Sequence, residues 1–432
     1  RALELAACLG HEVEEELWQA VCAQGAVQIP PRLLDKLLKS GLAEATEGGW
    51  RFLHPLFRES LERQARDEQR SAAHNRLCGE VLDGGPRLRD FQHLGRVAEH
   101  YFKGEAYDEA EARFLEGVDS ALACGEFEVA DGFLAERVRA LDLLEVDAED
   151  VRRVDGWIAE VNRLCTQTHE LDEALAICER ITTAAKAEGL ERQRGYALHY
   201  RGVIADHGGE HEEAYGHYCQ AFEVLEKVGR DADVALSFYV RARSHYYLGN
   251  LDLALELCEQ AIEKYRVTGD GFGASRSTDV MAKVYRARGA FDEAIEVTER
   301  ARRDFERLGY RTWEALAWTT LGEIKRLGRD LDGAELCYER SIDLWQQTGS
   351  RKVFYPRLNR AYVHLFRGEF ERAESTFHEL MALAEPWDLG WTIPGLHLGL
   401  LGCAAGLSEW DDWHTHFTQI HAHLSQSGTV LD

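Results

Sequence analysis

The chain has 432 residues, of which 45% are hydrophobic and 29% charged, and its formal net charge at pH 7 is −26. This length exceeds what one hydrophobic core usually serves, so we expect two or more domains or a repeat array. The negative charge argues against a general affinity for nucleic acid or acidic membranes, because their phosphates would be repelled.

The first 85 residues predict a small domain with one β-hairpin. Residues 1–9 and 12–23 are typical of short helices, and PPRLLDKLLKSG predicts a third that begins at Pro31. The segment LAEATEGGWRFL alternates around a Gly-Gly pair, which indicates a hairpin, and HPLFRESLERQA predicts a helix after it. Three helices, a hairpin and a helix predict a winged-helix domain over residues 1–85.

Residues 86–164 are predicted to be a helical linker with two degenerate repeats, GEAYDEA and GEFEVA. From residue 165 to residue 432 the chain repeats one helix–turn–helix outline, and the last unit is expected to cap the array. The outline contains an alanine that recurs every 40 residues, and once after 39, at positions 174, 214, 254, 294, 334 and 373. We therefore predict one pair of helices per 40 residues.

Each recurring position has a physical reason. Small residues at the alanine and twelve positions before it let two helices approach closely. A glycine five positions before it allows the positive φ of a tight turn, and another fifteen positions after it ends the second helix. One such pair cannot bury its apolar face alone, so successive pairs must stack.

The segment MAKVYRARGAFDEA, residues 281–294, resembles the tetratricopeptide repeat in its order of small, aromatic, glycine, acidic and alanine positions. The period of 40 exceeds the usual 34, and longer second helices account for the difference. The resemblance implies an all-α, right-handed superhelical solenoid.

The order of winged helix, linker and repeats is similar to the C-terminal half of bacterial STAND signal-transduction ATPases. The residues that carry this resemblance are GLAEATEGGWRFLHPLFRESL and AAHNRLCGEVL, at 41–61 and 72–82. It implies an ATPase core that lies outside this chain and binds ATP or ADP with Mg. It also implies that His54, in Leu53-His54-Pro55 where that family has a Met-His-Asp-like triplet, reaches the bound ADP and holds the winged helix against the core.

The first helix of each pair is expected to line the concave face. Counted from the small residue twelve before the alanine, positions −6, −3, +1 and +4 should be exposed there. They include Tyr239, Arg243, Tyr246, Arg276, Asp279, Lys283, Arg286, Arg326 and Tyr362. This basic and aromatic lining predicts a groove for a protein or peptide ligand, including an acidic or phosphorylated one. Long cationic side chains that only cover a helix face would give the same pattern, so both interpretations stay open.

Catalytic, metal and cofactor chemistry is not predicted within this chain. It contains no G-x-x-x-x-G-K-[ST] loop and no H-E-x-x-H helix, and the histidines of HTHFTQIHAH include pairs two helical turns apart. The ten cysteines lack C-x-x-C spacing, which favours a reducing, cytoplasmic location over a zinc or disulfide scaffold. No apolar run approaches the roughly 20 residues that a membrane helix needs.

Three functions remain open at this stage. The first is a ligand-sensing and autoinhibitory arm of a multidomain ATPase, with that core as an intramolecular partner; this chain would then be a fragment of it. The second is a scaffold that holds partners without switching. The third is a winged-helix transcriptional regulator that binds DNA through Arg32, Lys36 and Lys39, although three cations are fewer than the roughly 6–10 phosphate contacts of strong binders.

Overall fold

The computed structural model describes residues 1–85, 90–167, 171–208, 210–384, 386–387 and 392–426. Within these ranges it contains 22 α-helices and three short strands. The chain divides into two compact units, residues 1–121 with 128–156, and residues 122–127 with the chain from 157 onward. In the described ranges, none of the helices combines the length and the hydropathy required to cross a membrane.

The first unit contains a three-stranded sheet, and helices precede and follow its strands along the chain. Its elements are α1 (Ala2–Leu9), β1 (Glu12–Glu14), α2 (Glu15–Gln24), α3 (Leu33–Lys39), β2 (Ala43–Thr46), β3 (Gly49–Phe52), α4 (Pro55–Asp67), α5 (Ser71–Asp83) and α6 (Phe91–Lys103), followed by α7 (Tyr107–Cys124) and α8 (Phe127–Leu143), whose near ends lie in the second unit. The hairpin and the helix after it are therefore where the sequence predicted them.

The prediction of a helix over residues 12–23 is wrong at its start, because residues 12–14 form strand β1. This strand pairs antiparallel with β3, with Val13 opposite Trp50. Gly49 permits the pairing, since a Cβ there would lie 2.1 Å from the carbonyl oxygen of Val13. The third helix is also shorter than predicted and begins at Leu33 instead of Pro31.

The core of the first unit is aromatic. Trp50 and Phe52 are fully buried, and the Trp50 ring meets those of Trp18 and Phe52 edge-on, with centroids 5.4 and 4.8 Å apart. A buried ion pair lies beside this core. Arg70 donates from Nε and Nη2 to the two carboxylate oxygens of Glu4, at 3.0 and 2.8 Å, and this lowers the pKa of Glu4.

The second unit is a stack of antiparallel helix pairs. Its elements are α9 (Val151–Gln167), which begins in the first unit, and then α10 (Leu171–Glu188), α11 (Glu191–Gly208), α12 (His211–Val228), α13 (Asp231–Tyr247), α14 (Leu251–Val267), α15 (Gly271–Ala287), α16 (Phe291–Leu308), α17 (Arg311–Leu327), α18 (Leu331–Gln347), a 3₁₀ turn (Arg351–Val353), α19 (Phe354–Arg367), α20 (Phe370–Ala384), α21 (Ile393–Leu407) and α22 (Trp410–Gln426). The predicted all-α solenoid class is confirmed.

The recurring residues have the roles that the sequence predicted. All six recurring alanines are at most 1% exposed. Gly249 and Gly289, in the turns between paired helices, both have φ of 74°. The next pair places Arg329 at the equivalent position with φ of 66°, so one turn holds a non-glycine residue in the left-handed region. The glycines that end the second helices also have positive φ: Gly189, Gly229, Gly269, Gly309 and Gly349.

In the four pairs from α11 to α18, the size of the small residue on the first helix is matched to that of the side chain sixteen positions later, on the second helix. A Cβ on Gly322 would lie 2.5 Å from the ring of Tyr338, and one on Gly202 would lie 2.5 Å from the ring of Tyr218. The intervening pairs combine a larger small residue with a smaller partner, Ala242 with Cys258 and Ala282 with Thr298. These four pairs therefore keep their interhelical volume by exchanging size between the two positions, whereas the following pair combines Ala361 with Phe377 and does not follow the rule.

Candidate ligand-binding groove

The first helices lie on the inner side of the array. Those of successive pairs contact each other directly, α13 with α15, α15 with α17 and α17 with α19. Within the described residues, second helices make no contact of comparable extent with second helices of neighbouring pairs. Because the inner side of a curved stack is the more compressed one, the face made by the first helices is concave.

The expectation that every predicted groove residue is exposed is wrong for Tyr239 and Asp279, which are 4% and 3% exposed. Both occupy position −3, and so does buried Thr319. Neighbouring first helices touch, so a side chain at this position points into the next pair and not into the groove. Asp279 accepts hydrogen bonds from Lys283 Nζ at 2.9 Å and Thr320 Oγ1 at 3.4 Å.

Much of the predicted positive charge is neutralised by polar contacts between neighbouring pairs. Arg243 Nη2 on α13 donates to Asp206 Oδ2 on α11 at 2.6 Å. Arg286 forms an ion pair with Glu323 of α17 and donates to the hydroxyl of Tyr246 on α13 at 3.1 Å. These contacts join successive first helices along the concave face, and we call them the inter-repeat ladder.

Two predicted arginines contact aromatic rings instead. The Arg276 guanidinium lies 4.2 Å from the ring centroid of Tyr239 and donates to the hydroxyl of Tyr265 at 3.3 Å. Arg326 lies 6.0 Å from the Tyr362 ring centroid, and the Tyr362 hydroxyl donates to the Gly395 carbonyl oxygen at 2.7 Å. Among the described residues, neither arginine forms an ion pair with a carboxylate.

The structure adds residues that sequence reasoning missed. Asp206 and His199 occupy positions +4 and −3 of the preceding pair, so the same positional rule applied there would have found them. Lys352 had no such signal, because it lies in the 3₁₀ turn before α19, outside the predicted positions. It lies within electrostatic range of Arg243 on α13 and of the Cys165 thiol on α9.

The groove disfavours charge unless a partner is close. Burial, together with the nearby charges of Arg276 and Arg243, holds the pKa of His199 well below its usual range. Burial also acts against the charged form of Lys283, but Asp279 and Tyr247 outweigh it and raise the pKa of Lys283. Lys283 is therefore charged at neutral pH and His199 is neutral.

Residues 233–307 match the Tetratricopeptide repeat family. This segment contains α14 and α15 and most of α13 and α16, and so the central part of the inter-repeat ladder. TPR arrays of this kind are typical of protein–protein interaction and sensor domains. Among curated proteins, none matches the chain.

Two solved structures are similar to this chain. A Rap protein complexed with competence and sporulation factor is 15% identical, with a TM-score of 0.56 over 74% of this chain and 88% of that one. A STAND protein with a tetratricopeptide repeat sensor from Pyrococcus horikoshii is also 15% identical, with a TM-score of 0.46 over 91% of this chain. The match spans 64% of the length of that STAND protein. At these identities, the Rap likeness describes the fold alone.

His54 lies in the first unit, at the N-cap of α4. Its side chain is exposed and makes no capping hydrogen bond. Two neighbouring apolar side chains are also exposed, Leu53 at 42% and Leu56 at 79%. His54 is thus neither buried nor a side-chain cap, and it stands in an apolar surface patch formed with Leu53 and Leu56.

The C-terminal histidines meet differently from the pattern considered in the sequence. His416 of α22 lies against His397 of α21, with their Nδ1 atoms 3.0 Å apart. Across the ranges that the structure describes, no group of three or more histidine, cysteine or acidic side chains is arranged to hold a metal ion.

Proposed function

We propose that the concave face of the TPR-like array binds a protein or an extended peptide. The observation that carries this proposal is the concentration of arginine, lysine and tyrosine side chains on the contacting first helices. Arg243, Lys283 and Arg286 keep 19, 27 and 18% of their side-chain surface exposed, so solvent reaches them from the groove. Arginine and tyrosine are among the residue types that contribute most to binding energy at protein interfaces.

Site-specific photocrosslinking tests this proposal. Tyr247, at the end of α13, is 39% exposed and lies within electrostatic range of Arg243 and Lys283. A photoreactive phenylalanine analogue there should form a covalent adduct with the partner in cells of the native host. The matched control is Leu336 on the second helix α18, which is 57% exposed. Adducts at Leu336 and none at Tyr247 would place binding on the convex face.

We further propose that the array is the sensing and autoinhibitory arm of a multidomain signalling ATPase. The support lies in the first unit, where the order helix, strand, helix, helix, hairpin and helix is typical of a winged-helix domain. The exposed patch of Leu53, His54 and Leu56 is suited to contact with another domain. Since this chain has no phosphate loop, the nucleotide would be held by the ATPase core, and His54 would add one hydrogen bond.

The test of the autoinhibitory role is His54→Ala in the longer protein. A hydrogen bond to a charged phosphate contributes about 1.5–3 kcal/mol, enough to change the closed-to-open ratio about tenfold or more. The variant should raise ligand-independent ATP turnover, while the melting temperature of the first unit stays unchanged because the exposed side chain makes no capping hydrogen bond. A stable variant that remains inactive without ligand would refute the nucleotide role.

A further inference from the structure

A cavity of about 360 Å³ lies between α18, α19 and α20. Its floor is apolar, since the lining residues Ile342 and Leu380 are 6% and 1% exposed. The side chains of Arg357 and Arg360 also line it. Among the described residues, neither arginine forms an ion pair or donates a hydrogen bond, and Nε of Arg360 is buried. The cavity thus combines an apolar floor with two guanidinium groups that no described carboxylate neutralises.

Other boundaries between helix pairs show what the equivalent space holds. On the scale used for the groove, Arg357 and Arg360 occupy positions −4 and −1 of α19, and Phe238 and Arg241 occupy these positions in α13. The Phe238 ring lies 6.4 Å from that of Phe222 on α12, measured between centroids, and the Arg241 guanidinium lies 4.2 Å from the Phe222 centroid.

The boundary between α16 and α17 has a similar arrangement. Position −4 of α17 holds Trp318, and the guanidinium of Arg302 on α16 lies 4.7 Å from the centroid of its ring. At both boundaries an aromatic ring fills the space between one second helix and the next first helix, and a guanidinium lies over that ring. Positions −4 and −1 therefore face the preceding second helix and not the groove.

Helix α19 departs from this arrangement. The first helices α11, α13, α15 and α17 each carry an apolar residue at position −4 or −1, namely Leu198, Phe238, Met281 and Trp318. In α19 both positions are arginine, and on α18 Ile342 stands where α12 has Phe222, eight residues after the recurring alanine. The aromatic ring is absent from this boundary although guanidinium groups are present, and the cavity is the space that results.

Two carboxylates of the cavity lining set a second requirement for a ligand. Asp343 and Glu379 are exposed, and in the described part of the chain neither forms an ion pair with Arg357 or Arg360. Together with the two arginines they give the lining no net charge, so the cavity does not select an anion. Guanidinium groups stack on aromatic faces, and carboxylates accept hydrogen bonds from N–H groups. A neutral ring with N–H donors at its edge meets both requirements.

We propose that this cavity binds a small neutral molecule that has a planar aromatic ring and N–H donors at its edge. The ring would lie on Ile342 and Leu380, with a guanidinium of Arg357 or Arg360 over its face. A volume of about 360 Å³ is within the range of roughly 300–1,000 Å³ for small-molecule sites. The ligand would bridge the second helices α18 and α20, so the site adds a small-molecule ligand to the protein or peptide proposed for the groove and does not depend on it.

Three neutral compounds of similar size test the ligand class on the full chain. Benzamide has the aromatic ring and the N–H donors, cyclohexanecarboxamide has the donors without the aromatic ring, and methyl benzoate has the ring without the donors. In saturation-transfer NMR titrations, benzamide should bind about fivefold more tightly than either of the others. Benzamide binding that is absent, or equal to that of cyclohexanecarboxamide, would overturn the proposal. Equal binding of methyl benzoate would overturn the requirement for N–H donors.

Arg357→Phe introduces into α19 the ring that α13 has at the same position. The new ring would lie near Arg360, as the aromatic rings at the α12–α13 boundary lie near Arg241. The variant should lose benzamide binding because its own side chain fills the cavity, and its melting temperature should stay the same or rise. A lower melting temperature would contradict the equivalence of the two boundaries, and benzamide affinity equal to that of the wild type would exclude this cavity as the site.

Arg360→Met separates stacking from apolar contact. Methionine is the residue that α15 carries at position −1, as Met281, so the fold should be retained. Benzamide affinity should fall about fivefold, to that of cyclohexanecarboxamide, whereas a purely structural role of Arg360 would weaken both compounds alike. The matched control is Arg340→Met, at an exposed arginine of α18 outside the cavity lining, which should change neither affinity. An unchanged preference for benzamide in Arg360→Met would refute stacking on this guanidinium.

Discussion

The size match between Gly322 and Tyr338 predicts that Gly322→Ala destabilises the protein, although alanine is the better helix former. Glycine to alanine inside a helix ordinarily raises stability by about 0.5–1 kcal/mol. At Gly322 the new Cβ would lie 2.5, 2.7 and 2.9 Å from three atoms of the Tyr338 ring, and this ring is fully buried. Overpacking of that kind costs about 1–3 kcal/mol. Gly322→Ala should therefore lower the free energy of unfolding by about 0.5–2 kcal/mol, against helix propensity.

A double-mutant cycle isolates the contact. When Tyr338→Thr has removed the ring, Gly322→Ala should become stabilising, so the coupling between the two positions should be about 1–3 kcal/mol. Urea unfolding followed by circular dichroism measures each variant. The matched control is Ala282→Gly, whose partner is Thr298; this change should cost about 0.5–1 kcal/mol from propensity alone. Additive effects of the two substitutions, or a stabilising Gly322→Ala in the wild-type background, would refute the size match.

Two further predictions concern other local features. Glu4→Gln should destabilise the first unit, because it weakens the bidentate ion pair with Arg70. The fold lowers the pKa of Glu4, so the wild type should have the higher free energy of unfolding in urea above pH 4.5. This difference should disappear as the pH falls through the lowered pKa. An advantage that persists in acid would contradict this. Gly289→Ala should lower the free energy of unfolding by about 1 kcal/mol, because φ is 74° at Gly289. Arg329→Gly at the equivalent turn should be neutral or stabilising in thermal melts. An unchanged stability in Gly289→Ala would show that the turn can change conformation.

Features that restrict which residue types a position can hold could be predicted from the sequence. The alanine period and the turn glycines predicted the helix pairs, since close helix contacts and positive φ each restrict the residue types allowed. Strand β1 was not predictable in this way, because three residues have no periodicity of their own and become a strand only by pairing with β3. The pairing of Glu4 with Arg70 was equally inaccessible, because it joins α1 to the start of α5.

The candidate groove was likewise predictable from the sequence only in part. Periodicity identified the helix face that carries Arg243, Arg276 and Lys283. It could not show that position −3 is covered by the neighbouring pair, because this depends on how closely the first helices stack. Lys352 lies beyond the reach of the pattern for a related reason. It lies in the 3₁₀ turn before α19, and its electrostatic interaction with Arg243 on α13 joins elements that are far apart in the sequence.

The inter-repeat ladder has a consequence for how such an array can change in evolution. The match between Gly322 and Tyr338 is complete within one helix pair, so a duplicated pair would carry its own packing with it. Arg243 with Asp206 and Arg286 with Glu323 instead join adjacent pairs, so each depends on which pair comes next. Deletion of one 40-residue unit would preserve the hydrophobic contacts inside every remaining pair but leave charges without their partners at the new junction. The apolar positions make the units interchangeable, and the charged ones fix their order.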